Sequence, residues 1–154
     1  MKKLLLACLS FTFTPLAASD PPNLAYWTSQ DLKSLSDRLP SQMDEGKRTV
    51  EEMARFGTHR VLMVYRESSG PAAAHAHTDF YVIQGGEGTL VLGGEVVDPK
   101  PKNPTEVWGT SIRGGKSIKV KAGDIINIPP NAPHQLLLEP GQNITYLVVN
   151  VPIP

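Results

Sequence analysis

"GDIINIPPNAPHQLLL", residues 123–138, is the stretch from which the rest of the chain can be read. Gly123 and Asp124 open it as a turn, and Ile125 to Ile128 follow as a short apolar strand. Pro129-Pro130-Asn131-Ala132-Pro133 forms a second turn, and His134 begins the next strand. Prolines hold the backbone stiff, and Asn131 tolerates the left-handed torsions that few residues accept. A histidine delivered by so rigid a turn is preorganised for ligation. Its bland role would be to cap the strand.

A second stretch, "AAAHAHTDFYVIQGGEG" at residues 72–88, carries the remaining candidates. His75, His77 and Asp79 alternate, so a strand that begins this early puts two imidazoles and a carboxylate on one face. Neutral imidazoles with a carboxylate suit a divalent first-row metal. Tyr81 shares the Asp79 side, which makes His77 and Tyr81 the candidate general acid or base. The competing role for Tyr81 is a core aromatic with a satisfied hydroxyl.

Outward from these two stretches the pattern is of short β-type runs cut by turns. Strands are expected at 59–66, 79–84, 89–94, 117–120, 125–129, 135–138 and 145–151, with breaks at "SSGP", "GGEG", "KAGD", "PPNAP" and "EPGQN". Residues 98–116 read as one long structureless loop, either disordered or lying over a functional cleft. Trp108 and Arg113, in or beside it, are candidates to line a pocket, and the competing role for Trp108 is to pack the loop onto the barrel. Before residue 57 the reading is partly helical. Thr28 and Asp31 form a capping box, Leu32, Leu35 and Leu39 keep helical spacing, and Pro40 ends the run. A second helical piece is expected at 49–56. His59 is expected at a strand end or in the core, and Arg66 and Glu67 on the solvated side of a turn.

Composition excludes several classes. Fourteen Pro and 13 Gly among 154 residues favour an all-β domain. Lys plus Arg is 15 and Asp plus Glu is 15, so no net field draws nucleic acid or anionic lipid. The N-terminus reads as an export signal over residues 1–19: Met1-Lys2-Lys3, the apolar run Leu4 to Phe13, then small residues Ala17-Ala18-Ser19. Cleavage there removes Cys8, the single cysteine, and leaves a periplasmic or secreted product without membrane attachment. The remainder divides into an extension at 20–56 and a β-domain at 57–154.

With those residues in view, the chain resembles the cupins. Gly123, Pro129 and His134 match that family's second motif at its spacing, with Asn131 replacing a glycine and Leu138 an asparagine. Asp79 and Gly86 fit the second half of the first motif, with aspartate for glutamate. The resemblance covers roughly residues 57–151 and implies a double-stranded β-helix (jelly-roll) barrel with metal in its mouth. Two registers stay open. In one, His75, Asp79 and His134 form a facial triad and Ala73 stands at the first histidine position. In the other, which a shortened loop favours, His75, His77 and His134 ligate and Asp79 is a fourth ligand or an acceptor behind them. Nitrogen and oxygen donors without thiolate admit Fe, Mn, Ni, Zn or Cu, and the resemblance implies a small-molecule substrate or ligand and a homodimer paired through edge strands such as 145–151. A metal-dependent enzyme of oxygenase, isomerase or lyase type is the expected function. A non-catalytic small-molecule or sugar-binding module is the alternative, and metal-free acid–base catalysis a third.

Overall fold

The computed structural model describes residues 22–152; the expected export segment lies outside the described residues. Helix α1 (Ser29–Arg38) opens with the expected capping box, in which the Thr28 side chain accepts from the Asp31 amide and Asp31 accepts from the Thr28 amide. A 3-10 turn, Leu39–Gln42, follows, with Pro40 at its start. Twelve strands come next: β1 (Arg48–Arg55), β2 (Arg60–Arg66), β3 (Ala72–His75), β4 (His77–Leu92), β5 (Glu95–Val97), β6 (Lys100–Asn103), β7 (Glu106–Gly109), β8 (Ser111–Arg113), β9 (Lys116–Lys121), β10 (Ile125–Ile128), β11 (His134–Leu137) and β12 (Ile144–Pro152). No helix among the described residues is long and apolar enough to cross a membrane.

Strand β4 organises the molecule. Its first half pairs with β12 on one side and β10 on the other, and its second half pairs with β11 and β9. One 16-residue strand therefore serves two layers of a curled antiparallel sheet. The change of layer falls at Gly85-Gly86, where the register against β12 slips between Thr145 and Tyr146. Gly86 has φ +73°, and a Cβ there would sit 2.0 Å from the Asn143 carbonyl oxygen, so only glycine fits. Between the layers lies the larger core, with Leu90, Ile128 and Ile144 essentially inaccessible. On the outer face of β2 a second cluster of Leu35, Leu39, Met63 and Tyr65 docks α1. Thr49 Oγ1 donates to the Leu39 carbonyl (2.8 Å) and ties the 3-10 turn to β1.

Several expectations need correction. Residues 48–55 are strand β1, not a helix, and pair along β2 from Arg48↔Arg66 to Arg55↔Arg60. Helix-tolerant residues there are overridden by the open edge of β2, and the sheet thus begins before the expected boundary at Gly57. The 98–116 segment is not structureless but contains β6, β7 and β8. Its prolines sit where a lost N–H costs nothing: β6 is the edge strand, exposed throughout, and carries Pro101. Strand β3 (AAAH) was missing from the expected set, because three alanines give no β signal. Strand β12 lies between β2 and β4, so it offers no free edge for a partner.

Candidate metal centre

The turn expected to deliver His134 does so in the expected way. Asn131 has φ +61°, and its N–H donates to the His75 carbonyl (2.8 Å). Gly93 N–H donates to the Pro133 carbonyl (2.8 Å), and His134 stands opposite both Leu92 and Ala73 in the sheet. One stiff turn thereby clamps both histidine-bearing stretches together.

His75, Asp79 and His134 are all buried, and each offers a ligand atom within 4.8 Å of the others. His75 Nε2 is 3.0 Å and His134 Nε2 4.0 Å from Asp79 Oδ2. Two bonds of about 2.1 Å at a right angle place their donor atoms roughly 3 Å apart, which is the His75–Asp79 spacing. His77 adjoins this group from the side: its ring stacks on His75 (centroids 3.7 Å, 3° between planes) and its Nε2 lies 3.2 Å from Asp79 Oδ1. The three buried groups are those of the facial-triad register, with His77 on the other carboxylate oxygen.

The donor set itself bears on a metal. His75 Nδ1 lies 3.1 Å from the His77 carbonyl, and His134 Nδ1 lies 3.0 Å from the Ala132 carbonyl. A carbonyl only accepts, so each Nδ1 carries hydrogen and each neutral ring turns an Nε2 lone pair toward Asp79. Lone pairs facing a carboxylate in a buried site call for a cation between them, or for a further proton on His75. The residues present fit a divalent ion.

Electrostatics follow from burial and proximity. Burial opposes ionisation of Asp79, yet its hydrogen bonds to His75 and His77 outweigh that and hold the carboxyl well below its usual range. For His75 burial disfavours the charged form, and the hydrogen bond and charge of Asp79 more than offset it, raising the imidazole. His134 is lowered because burial dominates, which keeps it in its neutral, ligating form. Tyr81 donates to Asp79 Oδ2 (3.3 Å), and burial with the neighbouring Tyr146 and Asp79 pushes its phenol well above the ordinary range. Tyr81 therefore offers Asp79 a hydrogen bond from a hydroxyl that stays protonated.

Residues that the sequence reading passed over complete the cluster. Asn150 on β12 donates through Nδ2 to Asp79 Oδ1, while its Oδ1 accepts from Arg60 Nε (2.6 Å). Arg66, expected to be solvated, instead lines the cavity and donates through Nε to the Tyr146 hydroxyl (3.0 Å). The signal was present: residues 60, 62, 64 and 66 share one face of β2. What the sequence lacked was which face points inward. Trp108 does line the cavity and bonds Glu106 (2.5 Å), whereas exposed Arg113 pairs with Glu95 outside it. His59 lies just outside β2, against Phe56 and the Thr58 hydroxyl. The whole site opens into a cavity of about 390 Å³ between the two layers.

Comparison with solved structures identifies the architecture. The chain superposes on the polyketide cyclase RemF from Streptomyces resistomycificus with TM-score 0.51 and 19% identity, covering 68% of this chain and 65% of the cyclase. An RmlC-like cupin family protein with a double-stranded β-helix fold from Methanocaldococcus jannaschii aligns with TM-score 0.50 and 16% identity, over 71% of this chain and 84% of that one. The chain folds as a cupin. A third cupin-fold neighbour is hydroquinone 1,2-dioxygenase PnpCD, solved with Cd²⁺ and 4-hydroxybenzonitrile: TM-score 0.50, 15% identity, 67% of this chain and 63% of that one. This chain thus spans a little under two thirds of the length of the cyclase and of the dioxygenase. No protein-family model and no curated protein sequence matches the chain.

Proposed function

We propose that this cupin is an exported, metal-dependent enzyme acting on a small oxygenated compound by oxygenase, isomerase or lyase chemistry. The observation that carries the reading is the convergence of two Nδ1-anchored imidazoles and a buried carboxylate on a cavity of about 390 Å³. His75, Asp79 and His134 would hold the ion, one of Fe, Mn, Ni, Zn or Cu. When bound, such an ion supplies a Lewis acid with open positions for a substrate oxygen. Asn150 orients Asp79, and Tyr81 presents a hydroxyl that stays protonated. His77, less buried than the triad and 3.2 Å from Asp79 Oδ1, is placed to carry a proton between the site and solvent. Cupin-fold neighbours that act as a cyclase and a dioxygenase support small-molecule chemistry in this architecture. The N-terminal run read as an export signal supports action in the periplasm or outside the cell.

The test is elemental analysis of native protein beside His75→Ala, Asp79→Ala, His134→Ala and His77→Ala variants. Stoichiometric metal in the native protein is expected, lost in the first three and retained in the fourth, whose turnover falls. Metal retained at full occupancy in all four would reject the site. A metal-free native protein that binds sugars without turnover would establish the binding-module reading instead.

A further inference from the structure

The β2 wall of the cavity carries charge that no residue of the histidine–aspartate triad pairs with directly. Arg60 and Arg66 both project into it from β2, half-buried, and neither forms an ion pair with a carboxylate among the described residues. Each is steered by one neutral acceptor on β12, Arg60 by Asn150 Oδ1 and Arg66 by the Tyr146 hydroxyl, and in both cases through Nε. The paired terminal nitrogens of each guanidinium make no hydrogen bond to a described protein group and are not sealed from solvent. The Arg66 fork lies over Gly70, 3.5 Å from where a Cβ would stand, an ordinary van der Waals distance.

The acidic groups of the cavity are already committed. Asp79 belongs to the histidine cluster, Glu52 is chelated by Arg55, and Glu106 accepts from Trp108 and Asn103. The third cavity arginine, Arg48, lies 3.9 Å from Asp44. The free positive charge therefore sits on Arg60 and Arg66, with the apolar side chains of Leu62 and Val64 between them on the same strand face. Guanidinium forks that present two parallel N–H groups to an enclosed space match an oxyanion.

We propose that the substrate is a small organic acid, its carboxylate gripped by the Arg66 fork and its apolar body lying on Leu62 and Val64. The assignment rests on the proposed function for what happens at the metal end, but the carboxylate grip needs no metal. Benzoate and succinate are therefore titrated calorimetrically against their neutral counterparts benzamide and succinamide, using chelator-treated and metal-loaded protein. The carboxylates bind at least about tenfold more tightly than the amides in both preparations. Arg66→Gln removes that preference while metal content stays at the native value, and Arg66→Lys restores part of it. Equal affinity for acid and amide in the native protein, absence of carboxylate binding, or an undiminished preference in a folded Arg66→Gln overturns the proposal. Loss of metal without loss of the preference would count against the metal reading alone.

Discussion

Asn150 shows how much of this site rests on one neutral side chain. Its amide nitrogen holds Asp79 Oδ1 and its oxygen holds Arg60, so its orientation is determined by the charge on either side. Asn150→Leu strips a buried carboxylate of one donor and Arg60 of its acceptor. The expected cost is about 1–3 kcal/mol of stability, read from urea denaturation. Metal affinity should weaken roughly 10- to 100-fold, as when partners behind metal ligands are lost, read by competition with a chelating dye. His75, His77, Asp79 and His134 were legible as candidates because their residue types and spacing carry the chemistry. Asn150, Arg60 and Arg66 were not, because asparagine and arginine on a strand announce nothing until the inward face is known.

Among the elements, β4 and the α1-covered face of β2 each yield a prediction. Gly86→Ala forces a Cβ to 2.0 Å from backbone at a left-handed φ, with no flexible side chain able to yield. A loss of roughly 3 kcal/mol or more is expected, as for other strained backbone positions, measured as a lower denaturation midpoint. Tyr65, under α1, is pushed up to about 12 by burial and by its hydrogen bond to Glu67. The fold thus favours the protonated phenol over the unfolded chain, whose value is 10.0. That stabilisation is complete below pH 10 and fades as pH rises through about 12. Tyr65→Phe should therefore lose less stability than the native protein across this interval, which unfolding midpoints at stepped pH would show. The sequence misread β1 and residues 98–116 for related reasons. An edge strand is specified by the neighbour it joins, and short exposed strands with prolines carry no period of their own.

For the whole molecule, the homodimer is a proposal that needs a different surface from the one expected. Strand β12 is internal, but Phe80, Val151 and Ile125 on adjacent β4, β12 and β10 stay exposed on the outer face of the sheet, Ile125 at 62%. A pair of chains covering this face would explain apolar side chains left toward water. Light scattering should report twice the monomer mass, and Ile125→Glu should reduce it to one. A monomeric native protein at tens of micromolar would remove the proposal.

The sequence by itself determined the all-β class, the capped helix before it and the rigid turn that carries His134. Each of these is written in local torsional preference and short-range periodicity. Only the tertiary structure decided which imidazoles meet Asp79, that β4 serves both layers through Gly86, and that Arg60 and Arg66 face the cavity. Those outcomes depend on which strands become neighbours and which face turns inward. Both are set by the free energy of closing the sheet over its core, which no single segment encodes.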